Sequence, residues 1–197
     1  SLSKALNIQF IQEVSATSKA LKTNAPQTDV AIELGGEDAK IIYFDNGSIE
    51  ERMNGVCAGG TGAFIDQMAA LLQTDAKGLN DKAKDYKHIY PIAARCGVFA
   101  KTDIQPLINE GASVEDLSAS IFQAVVNQTI SGLACGKPIR GCVAFLGGPL
   151  HFLPELKKAF IRTLKLTPEN IVTPESGHLY AALGAALDGG SDIALDT

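Results

Sequence analysis

Val30-Ala-Ile-Glu-Leu-Gly-Gly-Glu-Asp-Ala-Lys-Ile-Ile-Tyr-Phe-Asp-Asn-Gly47 is the stretch whose reading decides the fold. Val30–Leu34 is a short apolar run that stops at Gly35-Gly36. Ala39–Phe44 is a second run, and Asp45-Asn-Gly47 after it is a strong hairpin signal. Ser48–Met53 then pairs back as a third strand, which makes an antiparallel meander. Upstream, Leu6, Phe10 and Val14 recur at helical spacing and predict a helix over 3–22, broken by Thr23-Asn-Ala-Pro26.

Beyond the meander the period changes. Gly59-Gly-Thr-Gly62 precedes a helix at about 63–73, and 75–94 is polar and irregular, with a short strand expected near 88–93. Helices follow at about 98–109, stopping at Gly111, and from Val114 to about Ala134. The second starts at a cap, Ser113, with Glu115 and Asp116 in the first turn. Cys142–Leu146 is a buried-type strand ending in Gly147-Gly148; a helix at about 150–163, a strand over Asn170–Thr173 and a helix at about 177–187 complete the pattern. This order predicts an α/β fold, a mixed sheet flanked by helices. It is similar to one ribonuclease-H-like lobe, of which actin, sugar-kinase and heat-shock-70 ATPases carry two.

The bulk numbers exclude several classes. In 197 residues, 46% are hydrophobic and 20% charged, enough apolar surface for a core without disulfides. A formal charge of -5 and the lack of a basic stripe give no footing for nucleic acid. No apolar run approaches the roughly 20 residues of a membrane span, and no signal-peptide pattern opens the chain, which reads as cytoplasmic. Thiols stay reduced there, so Cys57, Cys96, Cys135 and Cys142 point to packing, metal or redox chemistry; none forms a CxxC.

Two Gly-Gly turns end apolar strands. Glu33-Leu-Gly-Gly-Glu-Asp38 lets backbone N–H groups at Gly35 and Gly36 approach a phosphate, with Glu33 to orient the attacking water or Asp38 to hold magnesium through water. Leu146-Gly-Gly-Pro149 offers bare backbone at Gly147 and Gly148 to adenosine or ribose. The alternative at both is an ordinary turn without a ligand. Cys57 lies before Gly59, Gly60, Thr61 and Gly62 at a helix start, and Cys96 lies before Gly97 at another. Helix N-termini stabilise a thiolate and an anionic iron–sulfur cluster; the alternative is two small buried thiols. Cys135 and Cys142 read as structural, and His88, His151 and His178 as surface or capping residues.

Together these pieces resemble the ATPase activators of 2-hydroxyacyl-CoA (2-hydroxyglutaryl-CoA) dehydratases and the ATPase subunits of benzoyl-CoA reductase. The resemblance is carried by Glu33-Leu-Gly-Gly-Glu-Asp-Ala-Lys40, Met53-Asn-Gly-Val-Cys-Ala-Gly-Gly-Thr-Gly-Ala-Phe64, Arg95-Cys-Gly-Val-Phe-Ala-Lys-Thr-Asp103, Leu146-Gly-Gly148 and Ala182-Leu-Gly-Ala-Ala-Leu187. It implies ATP/ADP with magnesium, and a homodimer bridged by one [4Fe-4S] cluster on Cys57 and Cys96 of each subunit. It also implies a low-potential donor such as ferredoxin or flavodoxin, and a dehydratase that accepts the electron. The family usually has Asp where Glu33 stands, and its first lobe opens with a strand carrying Asp-x-Gly-Ser/Thr that is not found here. The chain therefore reads as a fragment of a long multidomain member: 1–25 an inter-lobe helix, 26–190 the second lobe, 191–197 a tail. Two rivals stay open at this level, an actin-fold small-molecule kinase and a non-catalytic interaction lobe.

Overall fold

In the computed structural model, which describes residues 10–45, 47–54, 59–93 and 96–188, the meander consists of β1 (Val30–Leu34), β2 (Ala39–Asp45) and β3 (Ser48–Met53). All three pair antiparallel. β4 (Val143–Leu146) adds to the free edge of β1 in parallel, and β5 (Ile171–Val172) adds in parallel to β4. The order β3-β2-β1-β4-β5 is the mixed sheet expected from the sequence. Helices cover both faces, which explains why the central strands are apolar runs rather than alternating ones.

Strand alternation assigns the faces. Val30, Ile32 and Leu34 of β1, with Ile41, Tyr43, Val143 and Phe145, join the larger core under α2 (Gly62–Leu71), α5 (Val114–Thr129) and α7 (Pro154–Leu164). Ala31, Ile42, Ala144 and Leu146 face the other way, under α1 (Glu13–Asn24) and α8 (Tyr180–Asp188). α1 and α8 cross very closely: a Cβ at Gly184 would lie 1.7 Å from the Ala16 carbonyl oxygen. Only glycine permits that approach, so Ala182-Leu-Gly-Ala-Ala-Leu187 is here a helix-packing face.

The structure corrects four local expectations. Within the expected helix over 3–22, residues 10–12 are not helical and Glu13–Asn24 is the first helix among the described residues; Gln12 is extended at φ -68, ψ 134, Phe10 is exposed, and 3–9 lie outside the described residues. Residues 75–94 are not all irregular, because Asp75 caps α3 (Ala76–Lys82) by accepting the Gly78 N–H at 2.7 Å. No strand forms at 88–93. Its neighbours' N–H groups go to side chains of α5 instead: Lys87 and His88 to Asp116 Oδ1 (2.6 and 2.9 Å), Tyr90 to Ser120 Oγ (2.8 Å). Those two backbone donors hold the Asp116 carboxyl below its ordinary pKa. The helix expected over 150–163 is split into α6 (Gly148–Phe152) and α7, because Pro154 has no N–H to continue the first. α5 is α-helical to Thr129, widens into a π turn over Ile130–Ala134 and stops at left-handed Cys135. α4 (Gly97–Asn109) matches its predicted span within a residue. Cys57, Arg95 and the tail from Gly189 lie outside the described residues.

Candidate functional site

Three glycine turns meet at one end of the sheet. Gly62 opens α2, and its N–H donates to Gly35 O at 3.0 Å; the Ala63 N–H donates to Gly36 O at 2.7 Å. The first donors of α2 therefore hold the Gly35-Gly36 turn. A Cβ at Gly62 would lie 3.2 Å from Gly35 O and Gly36 Cα and 3.4 Å from Pro149 Cγ, which is why the third turn, Gly147-Gly-Pro149, packs against the same point. Gly36 and Gly148 face open space.

Between these turns lies a cavity of about 540 Å³, walled by Gly36, Glu37, Gly62, Asp66, Gly148 and Phe152 among others. That volume is in the range of small-molecule sites. Its floor is bare peptide, and it carries two carboxylates, Glu37 and Asp66. Gly35 and Gly147 sit behind the wall: Gly35 lies under the Asp38 carboxylate, and Gly147 (φ +88) passes against Leu34. Gly59, Gly60 and Thr61 are buried, with Gly60 (φ +82) packed on Gln128 and Thr129 of α5.

Glu33 and Asp38 do not wall the cavity. Glu33 sits opposite Lys40 in the β1–β2 register, on the face toward α1. The Lys40 side chain is 3% exposed, and its Nζ lies 2.8 Å from Glu13 Oε1 and 2.7 Å from Asp38 Oδ2. Burial works to depress the Lys40 pKa, but hydrogen bonds to Asp38 and Glu13 and the charge of Glu33 outweigh it, so the ammonium stays charged. Glu33 Oε2 is buried without a partner. Desolvation raises the Glu33 pKa from 4.5 to about 7; Lys40 opposes the rise, while Glu13, Asp38 and Glu51 add to it.

This fixes a pH window. A carboxyl with a higher pKa folded than unfolded contributes stability fully present below about pH 4.5 and lost as pH rises through 7. Glu33→Gln is expected to change stability by less than about 0.5 kcal/mol at pH 5. At pH 8 it should gain about 1–2 kcal/mol, after discounting for partial solvent screening. Urea unfolding at both values reads this out; equal effects at the two would show that Glu33 is not ionising in a dehydrated place.

Cys96 caps α4 in extended backbone at φ -152 and is half-buried. The first turn of α4 has no acidic residue, and Val98 and Phe99 stand 70% and 65% exposed beside it. Cys135 and Cys142 are free, their sulfurs turned to Gly132 O and Glu169 O. Among the described residues no group of three or more His, Cys, Asp or Glu is placed to hold a metal ion, and no helix is long and apolar enough to cross a membrane.

The profile of the BadF/BadG/BcrA/BcrD ATPase family matches residues 2–189. The chain belongs to this family. It is 30% identical over 179 residues to the 2-hydroxyisocaproyl-CoA dehydratase activator of Clostridioides difficile, covering 90% of this chain and 65% of that protein. The chain thus spans about two thirds of that relative's length. Its fold superposes on the (R)-2-hydroxyglutaryl-CoA dehydratase component A of Acidaminococcus fermentans with a TM-score of 0.85 at 28% identity, covering 95% of this chain and 71% of that one. It also superposes on the Clostridium difficile 2-hydroxyisocaproyl-CoA dehydratase activator with bound ADPNP, with a TM-score of 0.81 at 29% identity, covering 93% and 69%. The fold is that of an actin-like ATPase.

The sequence pattern marks the glycines of the cavity but not Glu37, Asp66 or Phe152. Asp66 follows Gly62 by four residues on one helix, a spacing that places both on one face. Phe152 had no such local signal.

Proposed function

We propose that this chain is the nucleotide- and cluster-binding lobe, residues 26–190 with α1 before it, of an ATP-dependent activator of a 2-hydroxyacyl-CoA dehydratase. The observation that carries the reading is the meeting of Gly36, Gly62 and Gly148 on one cavity, in a chain of an ATPase family. Gly36 and Gly148 leave bare peptide for the nucleotide, and Glu37 and Asp66 suit water-mediated contact to its magnesium. Glu33 lies off the cavity, opposite Lys40 on the face toward α1, so in this reading it does not touch the nucleotide.

Cys96 fits as one holder of a [4Fe-4S] cluster: it caps a helix whose first turn carries no acid, and the neighbouring side chains are apolar. Cys57 would be the other, and the same pair in a second copy would complete four thiolates. Such a cluster, when bound, supplies one-electron transfer. The partners in this reading are a ferredoxin- or flavodoxin-type donor and a dehydratase, the second of which the relative's name indicates for that protein.

The test is a double dissociation. The chain is reconstituted anaerobically with iron and sulfide, then assayed for chelatable iron and, by calorimetry, for MgADP binding. Cys96→Ser should lose most of the iron and keep the nucleotide affinity within about twofold. Gly148→Leu, whose side chain enters the cavity, should weaken MgADP by at least about tenfold and keep the iron. A chain that binds no MgADP, or one in which Cys96→Ser retains its iron, defeats the corresponding half of the reading.

A further inference from the structure

α1 packs on the sheet face opposite α2, and among the described residues none of α1 walls the cavity. One buried charge nevertheless joins the two. Lys40 pairs with Glu33 of β1 and Met53 of β3, and its side chain is 3% exposed. Its ammonium reaches in two directions. It lies 2.8 Å from Glu13 Oε1, in the first turn of α1, and 2.7 Å from Asp38 Oδ2, on the turn between β1 and β2. An ammonium carries three donors, so one group can hold both carboxylates at once.

The Asp38 end of this link closes part of the cavity wall. The Gly35 N–H donates to Asp38 O at 2.8 Å, and a Cβ at Gly35 would lie 2.0 Å from Asp38 Oδ1. The two residues this turn encloses, Gly36 and Glu37, both wall the cavity. The Glu13 end belongs to a helix with unsatisfied polar groups. Thr17 Oγ1 and Ser18 Oγ are buried on α1 without hydrogen-bond partners. Buried hydroxyls left unpaired weaken the packing of the element that carries them. The Gln12 side chain makes no cap bond either, so the tie from Glu13 to Lys40 weighs heavily at the start of α1.

We infer that Lys40 is a positioning residue that couples occupancy of the cavity to the seating of α1 on the opposite face of the sheet. A ligand that fixes Gly36 and Glu37 also fixes Asp38, and Asp38 fixes the ammonium. A fixed ammonium meets Glu13 with less loss of side-chain freedom than a mobile one. The coupling is reciprocal: a seated α1 raises the affinity of the cavity for its ligand by the same factor. Glu13 and Asp38 are 53% and 40% exposed, so solvent screens the link and holds that factor to about threefold. The inference rests on the nucleotide reading above and adds to it a route through the sheet.

Amide hydrogen exchange and calorimetry with MgADP on the full chain test this, with urea unfolding to establish that each variant is folded under the assay conditions. In the wild type, MgADP is expected to slow exchange over Glu13–Asn24 by about threefold. Glu13→Ala, which removes a half-exposed side chain, should abolish that slowing, keep the slowing over Gly62–Leu71 at the cavity wall, and weaken MgADP about threefold. Asp38→Ala should also weaken MgADP about threefold, and the double variant by no more than about fivefold, because both changes cut one link. A helix that is merely held by Lys40, without coupling, gives effects that multiply to about ninefold. That product, or α1 exchange that MgADP leaves unchanged in the wild type or slows equally in Glu13→Ala, overturns the coupling and leaves the cavity reading standing. A wild-type chain that binds no MgADP overturns both.

Discussion

Gly147→Ala is expected to cost about 3–5 kcal/mol, lowering the melting temperature by roughly 8–15 °C. Two effects add. The residue sits at φ +88, where an L side chain is strained. The new Cβ would also lie 2.0 Å from Leu34 O, 2.7 Å from Leu34 C and 3.0 Å from Leu34 N. These are backbone atoms at the end of a central strand, so relief requires β1 and β4 to separate where the glycine turns meet. MgADP binding should fall with stability. Gly148→Ala is the control: its Cβ meets nothing within 4 Å, and the change should stay within about 1 kcal/mol. Thermal and urea unfolding of the pair decides; equal melting temperatures would mean that the close approach of Gly147 to Leu34 is not enforced.

Lys40→Met is expected to cost about 2–3 kcal/mol. Breaking a fully buried ion pair costs about 3–5 kcal/mol, but Glu13 and Asp38 are 53% and 40% exposed, so water recovers part of the loss. The substitution also removes the cation that opposes the rise of the Glu33 pKa. Stability should therefore fall more steeply between pH 5 and 8 in the variant than in the wild type. Glu33→Gln in the Lys40→Met background should recover part of the pH 8 loss. Unfolding curves that overlay the wild type at both pH values would show that Lys40 ties neither α1 nor the turn to the sheet.

Much of this was legible in the sequence because its causes are local. Asp45 and Gly47 bound a hairpin, so the β2–β3 pairing followed from neighbouring residues. The direct opposition of Glu33 and Lys40 follows from that same kind of register, across Gly35-Gly36. Over 75–94 and 150–163 the structure differs from the sequence pattern for physical reasons. The backbone donors of Lys87, His88 and Tyr90 found acceptors on α5, about thirty residues away, and no periodicity reports such a partner. Pro154 cut a helix whose apolar pattern runs straight through it.

By itself, the sequence determined the strand order of the meander, the Gly-Gly turns and the ATPase family, because glycine and strand alternation act within a few residues of where they stand. Only the tertiary structure decided what those turns enclose. The parallel addition of β4 and β5 carries Gly147 onto Leu34 and His178 onto His151. It also leaves the cavity to Gly36, Gly62, Gly148 and Phe152. The approach of Gly147 to Leu34 joins segments more than a hundred residues apart, and it exists only once the sheet has formed and water has left its two faces.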